Sequence, residues 1–146
     1  MATWQARYWL VPTREPTTDP ETAWLTIPDA TKLLHCFDQV LPPANAPAAD
    51  WLRWGTYESH DVQVFLEVDQ VAGIRVRIDV REPDVAELLE RLAAAGLALD
   101  AVFRDEAGHD VRPDPEALAD SVRQSAAARF VRDPVEFLNS LRDRAV

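Results

Sequence analysis

Residues 61–104 decide the fold, and they read DVQVFLEVDQVAGIRVRIDVREPDVAELLERLAAAGLALDAVFR. Apolar side chains occupy every second position over residues 62–68 and again over residues 74–80, on either side of the short connection 70–73 that ends in a glycine. A period of two on both sides of a glycine-containing turn predicts an antiparallel hairpin with one buried face. The opposite face carries charged residues on both strands, for which we expect a solvent-facing ladder of cross-strand pairs. Phe65 lies on this outer face, so we expect it either under a helix or exposed to a partner.

A helix and a further strand follow the hairpin. Asp84 and Glu87 have the spacing of a helix capping box, and apolar residues then recur at helical intervals as far as Leu92. Gly96 is expected to end this helix, because glycine readily adopts the left-handed conformation found there. Alternation over residues 97–104 predicts a strand that runs parallel to the second hairpin strand, since a helix connects the two.

The rest of the chain supplies strands and helices around this region. Apolar residues at helical spacing after Pro28 predict an amphipathic helix, with Thr26 and Asp29 in a capping arrangement. The remaining elements are predicted, in chain order, as strand 4–11, helix 28–41, strand 51–57, strand 110–112 and C-terminal helices from residues 114 and 133. We expect residues 1–146 to form a single α+β domain, with a mixed but mainly antiparallel sheet, helices packed on one face and a C-terminal helical pair.

The charge and cysteine content narrow the classes of function. The chain has 25 acidic and 15 basic residues, a net charge of −10, which disfavours nucleic-acid binding because affinity for phosphates comes mostly from lysine and arginine. The same charge suits a basic protein partner, or simply a soluble surface. One cysteine rules out an internal disulfide, and no apolar run approaches the roughly 18 residues that span a bilayer. We therefore expect a cytoplasmic protein with no secretion signal and no membrane contact.

Few groups in the sequence are candidates for catalysis. The glycine-rich phosphate-binding, nucleophile-elbow and HExxH motifs are missing, so no cofactor is expected, and Cys36 is interpreted as a small buried hydrophobic residue. Two histidine–aspartate pairs, His60-Asp61 and His109-Asp110, stand at the ends of predicted strands and would form a metal site if they converged. The alternative is that both are ordinary turn residues, because adjacent residues of a strand point to opposite faces.

Tryptophan is concentrated in the first 54 residues, which contain all five: Trp4, Trp9, Trp24, Trp51 and Trp54. Residues 1–70 also hold 10 acidic and 4 basic side chains, against 15 and 11 in the remainder. These indoles either fill the core, with each N–H bonded to a carbonyl, or form an aromatic interface. Because aromatic residues and excess negative charge share one half of the chain, we predict a partner-binding surface there. Its members flank the loop 42–50 and are predicted to be Trp51, Trp54, Tyr57, Glu58 and Asp61.

The general make-up of the chain points to binding more than to catalysis. A small, acidic, tryptophan-rich α+β protein with no catalytic signature is similar in kind to bacterial immunity proteins, which neutralise a toxin domain. We therefore expect a non-enzymatic protein-binding domain, such as an immunity-type inhibitor or a binder of another basic partner. One alternative is a small enzyme or metal-binding domain that uses the two histidine–aspartate pairs. Another is a self-associating structural subunit, with Phe65 and the tryptophans buried in a homodimer.

Overall fold

A six-stranded antiparallel sheet organises the protein in the computed structural model, which describes residues 4–14 and 19–144. Its strands, in chain order, are β1 (Gln5–Pro12), β2 (Trp51–Gly55), β3 (Asp61–Glu67), β4 (Gln70–Asp79), β5 (Ala101–Arg104) and β6 (Asp110–Val111). They lie side by side in the order β2-β3-β4-β1-β5-β6. The helices are α1 (Val85–Leu99), α2 (Pro115–Arg123), α3 (Ala126–Arg132) and α4 (Pro134–Arg144), preceded by 3₁₀ helices at Ala23–Thr26 and Ala30–Gln39. The predicted α+β fold is confirmed, and each pairing between neighbouring strands is antiparallel.

Helices pack on one face of this sheet. The face carries apolar side chains that are at most 2 % exposed, namely Tyr8, Leu10, Val62, Val64, Ile74, Val76, Ile78 and Phe103. The Tyr8 hydroxyl shares a hydrogen bond of 2.8 Å with the Ser121 hydroxyl of α2, and the ring of Phe103 lies against Gly96 of α1. Phe37, in the second 3₁₀ helix, contacts Trp54 with ring centroids 5.4 Å apart. Burial of this apolar face is the main source of stability, because it removes the largest apolar area from water.

The segment from β4 through α1 to β5 forms the predicted crossover. Both strands pair antiparallel with β1, so they run parallel to each other with β1 between them. The predicted end of the helix at Gly96 was wrong, because α1 continues to Leu99 and ends at Asp100, which has a φ of 53°. Gly96 is needed for close packing instead: a Cβ there would lie 2.8 Å from Cβ of Pro113 and 2.9 Å from Cε2 of Phe103.

Two predicted capping arrangements were also wrong, although α1 does begin after its predicted N-cap, Asp84. The helix predicted at 28–41 is a 3₁₀ helix that starts after Asp29, a residue in the left-handed conformation with no side-chain capping bond. Thr26 does not cap it, since its hydroxyl donates to the carbonyl of Ala23. At α1 the Asp84 carboxylate makes no capping bond either, because it accepts a hydrogen bond from His60.

The C-terminal segment holds three helices where a pair was expected. The first predicted helix is divided between α2 and α3, and Ser125 begins α3 by accepting a hydrogen bond from the N–H of Ala128. Asp114 caps α2 in the same way, through the N–H of Ala117, as its position before a proline predicts. Within the residues that the structure describes, no helix has the length and apolar character needed to cross a membrane.

The outer edge of β2 is covered by the loop that precedes it. Gly55 donates to the carbonyl of Pro42 at 2.8 Å, Ala44 donates to Arg53 at 3.0 Å, and Trp51 donates to Ala48 at 3.2 Å. An edge whose backbone groups are already paired is not free to recruit another strand. Contacts with a partner at this end of the sheet therefore have to use side chains on its faces.

The hairpin between β3 and β4 turns two residues earlier than predicted. Val68 and Asp69 form the turn, with φ of 50° and 61°, and β4 starts directly after them. Ala72 is an extra residue in β4, because Leu66 pairs with Val71 whereas Phe65 pairs with Gly73. The bulge restores the alternation on which the faces of the sheet depend.

Val68 gives the first testable prediction. A β-branched residue is strained at positive φ, and the side chain of Val68 is 92 % exposed, so it has little packing to lose. Val68→Asn is expected to raise the free energy of unfolding by about 1 kcal/mol, because asparagine tolerates the left-handed conformation that this turn needs. Urea denaturation followed by tryptophan fluorescence measures the change. A loss of stability in Val68→Asn would contradict the strained turn.

Candidate functional site

The second face of the sheet carries arginine and aromatic side chains in place of apolar ones. Strand register aligns Arg7 of β1 with Arg77 of β4 and Asp61 of β3. In the next row, Trp9 of β1, Arg75 of β4, Gln63 of β3 and Arg53 of β2 lie side by side. We call the following set the arginine–aromatic face: Arg7, Trp9, Trp51, Arg53, Tyr57, Asp61, Gln63, Phe65, Arg75 and Arg77.

Asp61 is the buried negative charge at the centre of this face. Its side chain is fully buried, and its carboxylate accepts hydrogen bonds from two guanidinium nitrogens of Arg77 and, at 2.9 Å, from Nε2 of Gln63. Gln63 in turn accepts a hydrogen bond from Arg75. Burial lowers the pKa of Arg77, but the hydrogen bonds and charge of Asp61 outweigh it and hold that pKa above its ordinary value. Asp61 and Arg77 therefore form a close ion pair, and the carboxylate already accepts three of the roughly four hydrogen bonds that it can accept.

Aromatic rings hold the arginines of this face in place. The guanidinium carbon of Arg75 lies 5.8 Å from the ring centroid of Trp9 and 5.4 Å from that of Phe65. The guanidinium carbon of Arg53 lies 5.5 Å from the ring centroid of Trp51 and 5.3 Å from that of Tyr57. Contacts at these distances are attractive, because the negative face of a ring meets a cation. Phe65 is thus covered by neighbouring rings and by Arg75, and Trp51 stacks on it with centroids 5.8 Å apart.

Two arginines of this face have no hydrogen-bond partner among the described residues. Nε of Arg53 lies 3.7 Å from an oxygen of Asp61, and Nε of Arg7 lies 3.9 Å from an oxygen of Glu106, both too far for a hydrogen bond. The side chains are nevertheless only 17 % and 21 % exposed. Burial and then the charge of Arg77 lower the pKa of Arg75. Positive charge is therefore locally in excess on a protein whose net charge is −10.

The five residues predicted to bind a partner do not form one surface. Trp51 and Tyr57 belong to the arginine–aromatic face, and Glu58 is exposed in the turn between β2 and β3. Trp54 lies on the opposite face, 8 % exposed, and its Nε1 donates to Asp38 at 2.8 Å. Asp61 is buried rather than presented to solvent. The tryptophans separate because residues an odd number of positions apart on a strand point to opposite faces.

The two histidine–aspartate pairs do not converge. Nδ1 of His60 accepts a hydrogen bond from the N–H of Asp79 at 2.9 Å, so Nε2 carries the proton that it donates to Asp84, also at 2.9 Å. His109 is exposed in the turn between β5 and β6, and Asp110 pairs with Arg104. Since β4, β1 and β5 separate β3 from β6, the pairs lie about 19 Å apart, four strand spacings. No group of three or more histidine, cysteine or acidic residues in the described part of the chain could hold a metal ion.

The two histidines differ in their expected effect on stability. His60→Ala removes the acceptor of a buried backbone N–H and the donor to Asp84, so we expect a loss of about 1–3 kcal/mol in the free energy of unfolding. His109→Ala is the matched control, because its side chain is 80 % exposed and only a 3.8 Å contact with Asp105 is lost. Thermal unfolding of the two variants tests this difference. Equal stability of the two variants would mean that the His60 hydrogen bonds contribute nothing.

Cys36 matches its interpretation from the sequence. The residue is half-buried in the second 3₁₀ helix, and burial raises the pKa of its thiol to about 11. A thiol with that pKa is almost fully protonated at neutral pH and is a poor nucleophile. The residue therefore adds nothing to a candidate site.

Comparisons with known proteins add no further guide to this face. The chain matches no protein-family model, no curated protein and no solved structure. Sequence reasoning identified charged residues on the outer side of the hairpin, but it missed Arg7, Trp9 and Arg53 as their neighbours. The only sequence signal for them is the alternation within β1 and β2, which leaves open the strand beside which each one lies.

Proposed function

We propose that this protein is a non-enzymatic binding domain and that its arginine–aromatic face contacts a partner protein. The observation that carries the proposal is the pair Arg7 and Arg53, which make no hydrogen bond to a described residue and whose Nε atoms approach their nearest carboxylates, on Glu106 and Asp61, only to 3.9 and 3.7 Å. Ion pairs this long leave N–H donors of both guanidinium groups open to a closer acceptor, which favours an external group that supplies one. Arginine, tryptophan and tyrosine are also the residues that most often dominate protein interfaces.

The charge of this face favours an acidic partner surface over the basic partner expected from the net charge. Four arginines, Arg7, Arg53, Arg75 and Arg77, surround the buried carboxylate of Asp61. The other fully buried carboxylate on this side of the sheet, that of Asp79, already pairs with Arg81. Complementary charge mainly determines which partners are accepted and how fast they associate. An immunity-type inhibitor is one member of this class of binding protein, provided that its target presents acidic groups.

The two alternatives from the sequence, an enzyme or metal site and a self-associating subunit, have less support from the structure. An enzyme or metal site at the histidine–aspartate pairs would need groups that lie on separate parts of the sheet. A homodimer would place a second copy of the chain on the arginine–aromatic face, where acidic residues of that copy would serve as the partner. The mass of the protein in solution separates this arrangement from a monomer that binds another protein.

Site-specific cross-linking tests the proposed function. A photoreactive amino acid at Tyr57, which is 54 % exposed on the arginine–aromatic face, is expected to cross-link the partner in cells of the source organism. The same amino acid at Leu97 is the control, because that side chain is 68 % exposed but belongs to α1 on the other side of the sheet.

The cross-linked partner then allows a quantitative test with purified proteins. Trp51→Ala is expected to weaken its binding about tenfold or more, as truncation of an aromatic anchor usually does. Circular dichroism and thermal unfolding confirm that the variant keeps its fold. Cross-links from Leu97 without any from Tyr57, or unchanged affinity of Trp51→Ala, would contradict the proposed function.

A further inference from the structure

We infer that the arginine–aromatic face binds a carboxylate group of its partner and that Arg53 is the residue that holds it. The inference rests on the proposed function and names the chemistry that the face recognises. The carboxylate belongs either to an acidic side chain or to the C-terminus of a protein chain, because the two present the same pair of oxygens.

The hydrogen bonds within the face explain why Arg53 has no hydrogen-bond acceptor among the described residues. The carboxylate of Asp61 already receives two hydrogen bonds from Arg77 and one from Gln63, and Arg75 is satisfied in part by Gln63. Arg53 comes to within 3.7 Å of the same carboxylate without bonding to it. The single charge of Asp61 thus lies close to three guanidinium groups. Of these, Arg53 makes neither a direct hydrogen bond to the carboxylate nor one to Gln63.

Arg7 is a weaker candidate than Arg53 for an external carboxylate. Glu106, in the turn between β5 and β6, places its own carboxylate 3.9 Å from Nε of Arg7. That side chain is 60 % exposed and is free to move closer. Arg53 has no second acidic residue of this kind within ion-pair distance in the part of the chain that the structure describes.

The surroundings of Arg53 suit a planar anion. Its guanidinium group contacts the rings of Trp51 and Tyr57, which restrict its rotation before a ligand arrives. A guanidinium group held in one orientation offers two parallel N–H donors to a carboxylate, and this paired geometry is stronger and more specific than a single contact. Ordering of the side chain in advance also lowers the entropic cost of binding.

The aromatic rings argue against a nucleic acid as the occupant. Single-stranded nucleic acids bind where ring faces are open for base stacking. Trp51 stacks on Phe65 and carries Arg53 over its ring, while Trp9 contacts Phe65 and Arg75. Because these rings already stack on one another and on guanidinium groups, and because a net charge of −10 repels a polyanion, a carboxylate on a protein is favoured.

Peptide titration of the full chain tests this inference. The probes are hexaglutamate with both ends blocked, blocked hexaglutamine, acetylated hexaglycine with a free C-terminal carboxylate, and a thymidine oligonucleotide with six phosphates. Measurement in about 0.15 M salt limits long-range repulsion, since the Debye length there is about 8 Å. Hexaglutamate is expected to bind more tightly than hexaglutamine, and Arg53→Gln is expected to weaken hexaglutamate binding about tenfold or more.

Two further variants separate the role of Arg53 from net charge and from folding. Arg91→Gln makes the same change in charge on α1, where Arg91 pairs only with Glu87 at the surface, so its binding is expected to be unchanged. Arg53→Lys keeps the positive charge but loses the paired donors, so it is expected to bind with intermediate affinity. Thermal unfolding of each variant identifies any loss of affinity that comes from loss of fold.

The probes also identify the source of the carboxylate. Binding of acetylated hexaglycine that is lost in Arg53→Gln supports a C-terminal carboxylate, and binding of hexaglutamate lost in the same way supports acidic side chains. The inference is overturned if neither hexaglutamate nor acetylated hexaglycine binds at about 1 mM. It is also overturned if Arg53→Gln and Arg91→Gln bind hexaglutamate equally, or if the oligonucleotide binds more tightly than both of these peptides. Dimerisation that Arg53→Gln abolishes would support the contact of Arg53 with a carboxylate and would identify a second copy of the chain as its source. Cross-linking from Tyr57 that persists in any of these cases would leave the proposed function standing.

Discussion

Replacement of Asp61 by alanine is expected to lower the free energy of unfolding by about 3–5 kcal/mol, because it removes a fully buried carboxylate from among four neighbouring arginines. Arg77 would lose both of its hydrogen bonds to that carboxylate, and Gln63 would lose one. Arg53 and Arg75 would in addition lose the nearest charge that opposes their own. Urea denaturation, followed by circular dichroism at several urea concentrations, measures the loss.

Asp110→Ala is the matched control for this prediction. Asp110 also forms an ion pair with an arginine, Arg104, but it lies at the surface in β6, where a pair contributes about 1 kcal/mol or less. A loss of stability in Asp61→Ala no larger than that in Asp110→Ala would mean that solvent, and not Asp61, stabilises the arginines of the face. The argument for an excess of buried positive charge would then fail.

Gly55→Ala is expected to cost about 3–4 kcal/mol, through two separate effects. Gly55 has a φ of 86°, and a Cβ there would lie 2.3 Å from the backbone oxygen of His60 and 2.8 Å from Cδ1 of Leu41. The backbone oxygen cannot move away easily, since it accepts the N–H of Thr56 and closes the turn into β3. The same turn carries Tyr57, so the substitution should also move the ring that covers Arg77.

Gly108→Ala separates the two effects. Gly108 has the same φ of 86°, but nothing lies within 4 Å of the position that a Cβ would occupy. Its substitution therefore measures the conformational cost alone, which is about 1 kcal/mol. Equal losses in Gly55→Ala and Gly108→Ala, measured by urea denaturation, would contradict the close approach of His60.

The local pattern of the central region was sufficient to predict much of the fold. Strict alternation in β3 and β4 leaves only one assignment of faces that buries the valines and isoleucines, and the helix that follows leaves room only for a crossover. The N-cap at Asp114 was equally predictable, because aspartate before proline is favoured at a helix start. These features depend only on residues that are close together in the sequence.

Features that depend on distant contacts were not predictable. Gly96 was interpreted as a helix end because the sequence does not show that Phe103 and Pro113 pack against it. Asp84 is the N-cap residue of α1 as predicted, but the sequence does not show that its carboxylate bonds to His60 and makes no capping bond. In both cases a tertiary contact outweighs a local preference.

The candidate site was the least predictable part. The outer side of the hairpin was expected to be a solvated ladder of charges. The register does place Gln63 beside Arg75, but the expected exposure was wrong, because Asp61, Gln63 and Arg77 are buried. Its burial comes from rings on other segments, above all Trp9 and Tyr57, whose positions are set by long-range strand pairing and by the turn after β2. Net charge did not reveal this face either, because a sum over 146 residues conceals a local excess of arginine.

The most direct test of the binding surface is the spectrum of the arginine side-chain N–H groups, recorded by nuclear magnetic resonance during titration with blocked hexaglutamate. If the arginine–aromatic face binds carboxylates through Arg53, the Nε–H signal of Arg53 shifts progressively, whereas those of Arg91 and Arg112 stay in place. If the signal of Arg53 stays in place while exposed arginines such as Arg91 and Arg112 shift, the face is not the binding surface.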